Sequence, residues 1–237
     1  MKMNKQKDTS VPGKVSAARR IVRSGRPPKE LAGQVEERIL DAAREVFLER
    51  GFEGASIDEI AEAARSGKPT IYARFPNKQA LFTAAVTRFM TLKTMPFESY
   101  TPAGLTIEER LASIGVTLLQ EALTSEWIGL VRLTIAEARR FPVLGSRINQ
   151  MTRERGVEIV VRLLGEVTES LELGKLPAFG PETIPITAGY FMELIFLPML
   201  MRALSGENLE TLRAGIGPHV SQRAAFFLAA CRHGGIR

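Results

Sequence analysis

The sequence predicts an all-α protein, and three observations carry that expectation. Apolar residues recur at spacings of three and four along most of the chain from Gln34 onward. Two capping boxes, Ser56-Ile57-Asp58-Glu59 and Thr106-Ile107-Glu108-Glu109, mark helix starts. In each, the hydroxyl and the carboxylate satisfy one another's backbone N–H groups. No stretch shows the apolar–polar alternation of a half-buried strand, and no internal repeat or low-complexity run is found. With 237 residues, 45% of them apolar, the chain can bury a sizeable core in one large or two smaller domains.

The chain opens on a basic tail. Residues 1–30 hold nine Lys or Arg and two acids, whereas the whole chain carries only +6, so the remainder is close to neutral. The tail reads as a solvated arm, a targeting segment or a nucleic-acid arm. VPGKVSAARRIV is too polar for a secretory signal, though an Arg-rich, acid-poor transit peptide stays open. Arg26, in the extended context Ser24-Gly25-Arg26-Pro27-Pro28, suits an arm lying in a narrow minor groove. Cys231 is the sole cysteine, so no internal disulfide forms and a reducing compartment fits. The apolar run from Ala188 to Leu204 is interrupted by Glu193 and Pro198 and falls short of the roughly 20 residues of a membrane span. A cytoplasmic protein with no membrane partner is expected.

After the arm (1–33), residues 34–95 read as a module of four helices. Val35, Ile39, Ala42, Ala43, Val46 and Phe47 form one stripe that Gly51 stops, with Phe52 folding back onto it. Ser56 caps a second helix with Ile57, Ile60, Ala61 and Ala64 facing inward. Arg65-Ser66-Gly67 break the pattern, and Gly67 is expected to take the turn's unusual backbone angles. Lys68 to Phe75 form a third helix, with Pro69 tolerated in its first turn. Ile71 and Phe75 face the core, leaving Lys68, Thr70, Tyr72 and Arg74 outward. Asn77 caps a fourth helix, with Lys78 in its first turn, that ends before Pro96. Helix, tight turn, then a helix with basic, polar and aromatic residues is the layout of a DNA-reading helix-turn-helix. The alternative is a helical hairpin with a solvated charged face.

Residues 96–105 read as a linker, and 106–237 as a second helical region. Thr106 opens a helix carrying Leu111, Ile114, Leu118 and Leu119. Ser125 caps the next, which ends at Phe141-Pro142. A long amphipathic helix runs from about Leu144 to Leu173, and LGKLPAFGPETIP reads as a loop. The helix from Ile186 to Leu204 is apolar nearly all round, so both faces should be covered. A last helix spans about Pro218 to Arg232.

AREVFLERGFEGASIDEIAEAARSGKPTIYARFPNKQALFTAAV resembles the DNA-binding domain of the TetR/AcrR family of bacterial transcriptional regulators over about residues 34–86. The family's glycine-aromatic pair matches Gly51-Phe52, its second-helix hydroxyl Ser56, its Thr-hydrophobic-Tyr core and following Phe match Thr70-Ile71-Tyr72 and Phe75, and its Lys matches Lys78. Where the family commonly has Gly-Val-Ser in the turn, this chain has Arg65-Ser66-Gly67. The resemblance implies a C-terminal helical ligand-binding and dimerisation domain, and a homodimer on a palindromic site in double-stranded DNA. Ser56, Tyr72 and Lys78 would hold phosphates, and Lys68, Pro69, Thr70 and Arg74 would face base edges or nearby phosphates. It also implies a small-molecule effector of unknown identity. Polar or aromatic residues on otherwise apolar helices are its candidate contacts: Trp127, Arg132, Glu137, Tyr190, Met192 and Glu193. Leu200, Phe226 and Phe227 are candidates for the dimer contact. A repressor is the leading expectation, with an activator or a ligand-independent architectural DNA-binding protein as alternatives. An enzyme is not expected, nor is a metal or cofactor. The two histidines, His219 and His233, lack ligand spacing, and no Cys/His cluster, nucleophile elbow or phosphate-cradling glycine loop occurs.

Overall fold

The computed structural model describes residues 29–169 and 176–233, and every regular element among the described residues is helical. The basic tail with Arg26, and the expected helix end near Leu173, lie outside them.

Helix α1 (Lys29–Gly54) begins earlier than its apolar stripe suggests, directly after Pro27-Pro28. Gly51, at φ 71° and ψ 174°, breaks it as expected, and one further turn follows. That break swings Phe52 inward, where its ring stacks on Phe47 at 5.8 Å and meets Phe82 edge-on at 5.4 Å. Phe82 belongs to α4 (Lys78–Thr94), so the aromatic cluster clamps α1 to α4. Helices α2 (Ile57–Ala63) and α3 (Lys68–Tyr72) complete the module, with Ile60, Ile71 and Phe75 buried in its core.

The turn between α2 and α3 differs from expectation. Arg65, not Gly67, takes the left-handed backbone, at φ 48°. Gly67 is extended, at φ −79° and ψ 147°, and caps α3 without a side chain. The cause lies in how α2 ends. Ser66 N–H bonds to Ala61 O at 2.9 Å and Arg65 N–H to Glu62 O at 3.0 Å, the paired bonds of a Schellman motif. Its residue just past the cap must be left-handed, and the register places Arg65 there.

Residues 96–105 are fastened down rather than loose. A short 3₁₀ turn (Met95–Glu98) buries Phe97, and Arg162 of α7 (Pro142–Glu169) donates to the carbonyls of Phe97 and Tyr100. Helix α5 (Ile107–Ala122) starts at the Thr106 capping box. For α6 (Ser125–Ala138) the cap is Thr124, one residue before the expected Ser125, its hydroxyl accepting from Trp127 N–H at 3.2 Å.

Pro177–Phe179 form a 3₁₀ turn within the segment read as a loop. Helix α8 (Ile184–Phe191) then passes through a π turn (Met192–Phe196) into α9 (Leu197–Leu204). Leu197 N–H bonds five residues back, to Met192 O, just before Pro198, which has no N–H to offer the regular helix. The whole run is 21 residues, and an 18-residue window within it has a mean hydropathy of 1.6, long and apolar enough by length and composition to cross a membrane. That corrects the shorter run read from sequence. Here Thr187, Ala188, Phe191, Ile195, Met199 and Ala203 face the core, whereas Ile186, Tyr190, Leu197 and Met201 stay exposed, so within the protomer only one face is covered. Helix α10 (Leu209–Ala214), capped by Asn208, escaped the sequence reading. Helix α11 (Ile216–Arg232) starts two residues before Pro218 and runs along α5. Gly115 allows that approach, since a Cβ there would stand 2.8 Å from the Val220 side chain.

Candidate nucleic-acid interface and the cavity behind it

The exposed surface of α3 is small and chemically mixed. Ile71 and Phe75 point into the core, which fixes the helix's rotation. Lys68, Pro69 and Tyr72 then face solvent, with Thr70 half-buried beside them. Tyr72 keeps half of its surface accessible, unusual for so large a ring. Lys68 Nζ pairs with Asp58 across the turn at 2.5 Å, and the hydrogen bond to that carboxylate raises the lysine's pKa, so it remains cationic.

Three expected contacts are engaged elsewhere. Arg74, read as outward, folds back: Nη1 donates to Thr70 O at 3.1 Å and Nε lies 3.9 Å from Glu36, leaving the side chain 24% exposed. It follows the last turn of α3, where unpaired carbonyls attract a guanidinium. The Ser56 hydroxyl accepts from Glu59 N–H at 3.1 Å and donates to Glu59 Oε2 at 3.0 Å, so its proton is spent inside the cap. Lys78 Nζ donates to the carbonyls of Glu53 at 3.1 Å and Ala55 at 2.8 Å, 4.8 Å over the Phe52 ring. It closes the end of α1 and fixes the path into α2. Sequence reasoning missed Arg65, whose exposed side chain adds a cation beside α3. It was read only as part of a turn.

Behind this module a cavity of about 1010 Å³ opens between α4, α6, α7, the π turn and α9. Of the expected ligand residues, Trp127, Met192 and Glu193 stand on its wall, joined by Leu200, which was expected at a dimer contact. Arg132, Glu137 and Tyr190 do not line it. Arg132 reaches the end of α9 instead, donating to Ala203 O at 2.6 Å and Leu204 O at 3.2 Å. Tyr190 lies on the exposed outer stripe of α8.

Phe227 also departs from expectation. It is 2% exposed, edge-on to Phe191 at 5.2 Å, and belongs to the protomer core. Neighbours on a helix point about 100° apart, so burying Phe227 turns Phe226 outward, at 66% exposure.

The corner between α6 and α7 joins cavity and module. Phe141 packs edge-on against Phe52 at 5.2 Å, and Arg140 pairs with Glu53. Farther along, Arg44 Nε meets Glu126 at 2.9 Å. The corner residues that touch the end of α1 are thus flanked along the chain by Ala138, Gly145 and Ser146 of the cavity wall.

Comparison with known proteins agrees with this architecture. Residues 39–85 match the family model described as bacterial regulatory proteins, tetR family, and residues 109–232 match the AefR-like transcriptional repressor, C-terminal domain. The second match alone covers more than half of the chain. The chain belongs to the TetR family. The helix-turn-helix module is the part that the tetR-family model matches. The chain is 42% identical over 62 residues to the HTH-type transcriptional activator FasR of Mycolicibacterium smegmatis, a match to 26% of this chain and 26% of FasR. The chain thus spans about a quarter of that curated relative's length. A TetR-family regulator from Mesorhizobium loti superposes with a TM-score of 0.71 at 23% identity, over 84% of this chain and 97% of that one. The regulator FadR from Bacillus subtilis, in complex with stearoyl-CoA, superposes with a TM-score of 0.59 at 18% identity, over 80% of this chain and 97% of FadR. At those identities the likeness carries the fold alone.

Proposed function

We propose that the protein is a ligand-responsive repressor that binds a palindromic operator as a homodimer and is released by a small-molecule effector. The observation that carries this reading is the packing of the α6–α7 corner, at Phe141 and Arg140, on the end of α1 that leads into the helix-turn-helix, with Ala138 and Gly145 on either side of that corner lining the cavity. On DNA, Lys68 and Tyr72 hold phosphates while Pro69 and Thr70 face base edges. Ser56 and Lys78 act by fixing the α1–α2 junction, and Arg26 reaches the minor groove. Dimerisation covers the exposed stripe of Ile186, Tyr190, Leu197 and Met201 together with Phe226. An effector that fits the cavity better when the α6–α7 corner is displaced favours a wrongly spaced pair of α3 helices and lowers operator affinity. The C-terminal match to a repressor model favours repression over activation, since the resemblance to FasR is confined to a short stretch. Such a protein works in the cytoplasm.

Selection of bound fragments from sheared genomic DNA of the host, at near-physiological salt, tests this reading. An enriched inverted repeat with half-sites about 34 Å apart supports it. Uniform recovery of all fragments overturns it in favour of an architectural protein held by its basic arm.

A further inference from the structure

The cavity wall restricts the chemistry of the proposed effector. Its inner surface is built from side chains such as Met90, Leu118, Val131, Ile148, Phe196 and Leu200. The threonine hydroxyls on that wall already serve their own helices. Thr91 donates to Thr87 O at 3.0 Å, Thr94 to Thr91 O at 2.9 Å, and Thr134 to Leu130 O at 2.8 Å. Three of its charges are paired as well: Lys93 with Glu121 at 3.7 Å, and Arg155 with Glu98 at 2.8 Å. A sugar, nucleoside or peptide placed against this stretch of wall would find few partners for its many donors and acceptors, which costs affinity. An apolar chain loses nothing. Met90, Met151 and Met192, unbranched and rotatable, suit a flexible chain better than a rigid ring system.

Two features address the polar end. Among the described residues, Arg153 on the wall is exposed and has no hydrogen-bond or ion-pair partner. Trp127, 8% exposed on the same wall, has its indole Nε1–H buried with no hydrogen-bond partner. Both groups only donate, so both ask for an acceptor. Glu193 is the counterweight: with Lys93 paired to Glu121 and Arg155 turned to Glu98, the wall keeps one further charge of each sign, Arg153 and Glu193. We infer that the effector is a long-chain fatty-acyl amphiphile, its chain filling the cavity, its anionic head at Arg153 and an acceptor oxygen at Trp127. The inference rests on the effector-gated reading above.

Trp127 is the only tryptophan in the chain, so its emission reports occupancy of the cavity directly. The purified full-length protein is titrated with palmitate, octanoate, hexadecanol and hexadecyltrimethylammonium, each below its micelle concentration. Palmitate is expected to give a saturable change, binding about tenfold more tightly than hexadecanol through the charge-assisted contact at Arg153. Arg153→Ala should erase that advantage while leaving hexadecanol unaffected, with circular dichroism checking that the variant is folded. Tighter binding of the cationic amphiphile overturns the anionic head. Equal binding of octanoate overturns the long chain, and no saturable change with any probe overturns both. Fragment selection with the same preparation separates the two failures. An enriched operator that palmitate does not release sinks the ligand class alone, whereas loss of enrichment sinks the regulator reading whatever the titration shows.

Discussion

Replacing Arg65 by glycine should stabilise the protein, because Arg65 holds a backbone that side chains disfavour. Its φ of 48° is imposed by the Schellman bonds from Ser66 to Ala61 and from Arg65 to Glu62. Left-handed backbone costs a residue with a Cβ about 1–2 kcal/mol. Glycine removes that cost but gains about 0.5–1 kcal/mol of unfolded-chain freedom. The net gain is about 0.5–1 kcal/mol, or roughly 1–4 °C in Tm for a chain of this size. Thermal melts of Arg65→Gly beside Arg65→Ala decide the matter, since alanine removes the same charge but keeps the Cβ. An unchanged or lowered Tm for glycine, or an equal gain with alanine, would refute the backbone explanation. Gly67→Ser should add to the effect. A Cβ there meets only ordinary contacts, the nearest at 3.5 Å, and a hydroxyl caps α3 where none does now.

Phe227→Ala should destabilise the fold by about 3–5 kcal/mol in a denaturant titration, as for other buried aromatics. Phe226→Ala should leave melting of the protomer nearly unchanged and raise the dimer dissociation constant in sedimentation. Phe141→Ala removes an edge-on contact of about 0.5–1.5 kcal/mol with Phe52, and should keep operator binding while blunting release by the effector. Equal release by both proteins would rule out that corner as the link. His219 accepts burial and a 2.8 Å contact with Ile195 O, and burial lowers its pKa below the ordinary 6.5. The unfolded chain therefore takes up the proton first as pH falls. His219's contribution is complete above pH 6.5 and is lost progressively below it, down to the folded-state pKa. His219→Gln should flatten the fall in Tm between neutral pH and about pH 5.

The capping boxes and the buried faces of α2 and α3 were legible because each depends on a few neighbouring residues. The left-handed residue was not, because whether Arg65 or Gly67 takes it depends on where α2's last hydrogen bonds close. Long cations misled for a related reason. Arg74, read as outward, and Lys78, read as a first-turn cation free for a phosphate, both curl back to carbonyls whose positions the tertiary fold decides. The adjacent Phe226 and Phe227 could not be sorted without knowing which side of α11 meets Phe191. Arg132 and Glu137 were chosen for standing out among apolar neighbours, and a helix end explains the first as well as a ligand would. Helix α10 is only six residues long, too short for periodicity to reveal it.

The central claim, that two copies of α3 read one duplex together, is tested most directly by changing the distance between half-sites. Equilibrium binding is measured to the selected inverted repeat and to a version with half a helical turn inserted at its centre. The account predicts that the insertion puts the half-sites on opposite faces of the DNA and reduces affinity to that of a single half-site. Equal affinity for both duplexes would contradict it, because each α3 would then be acting alone.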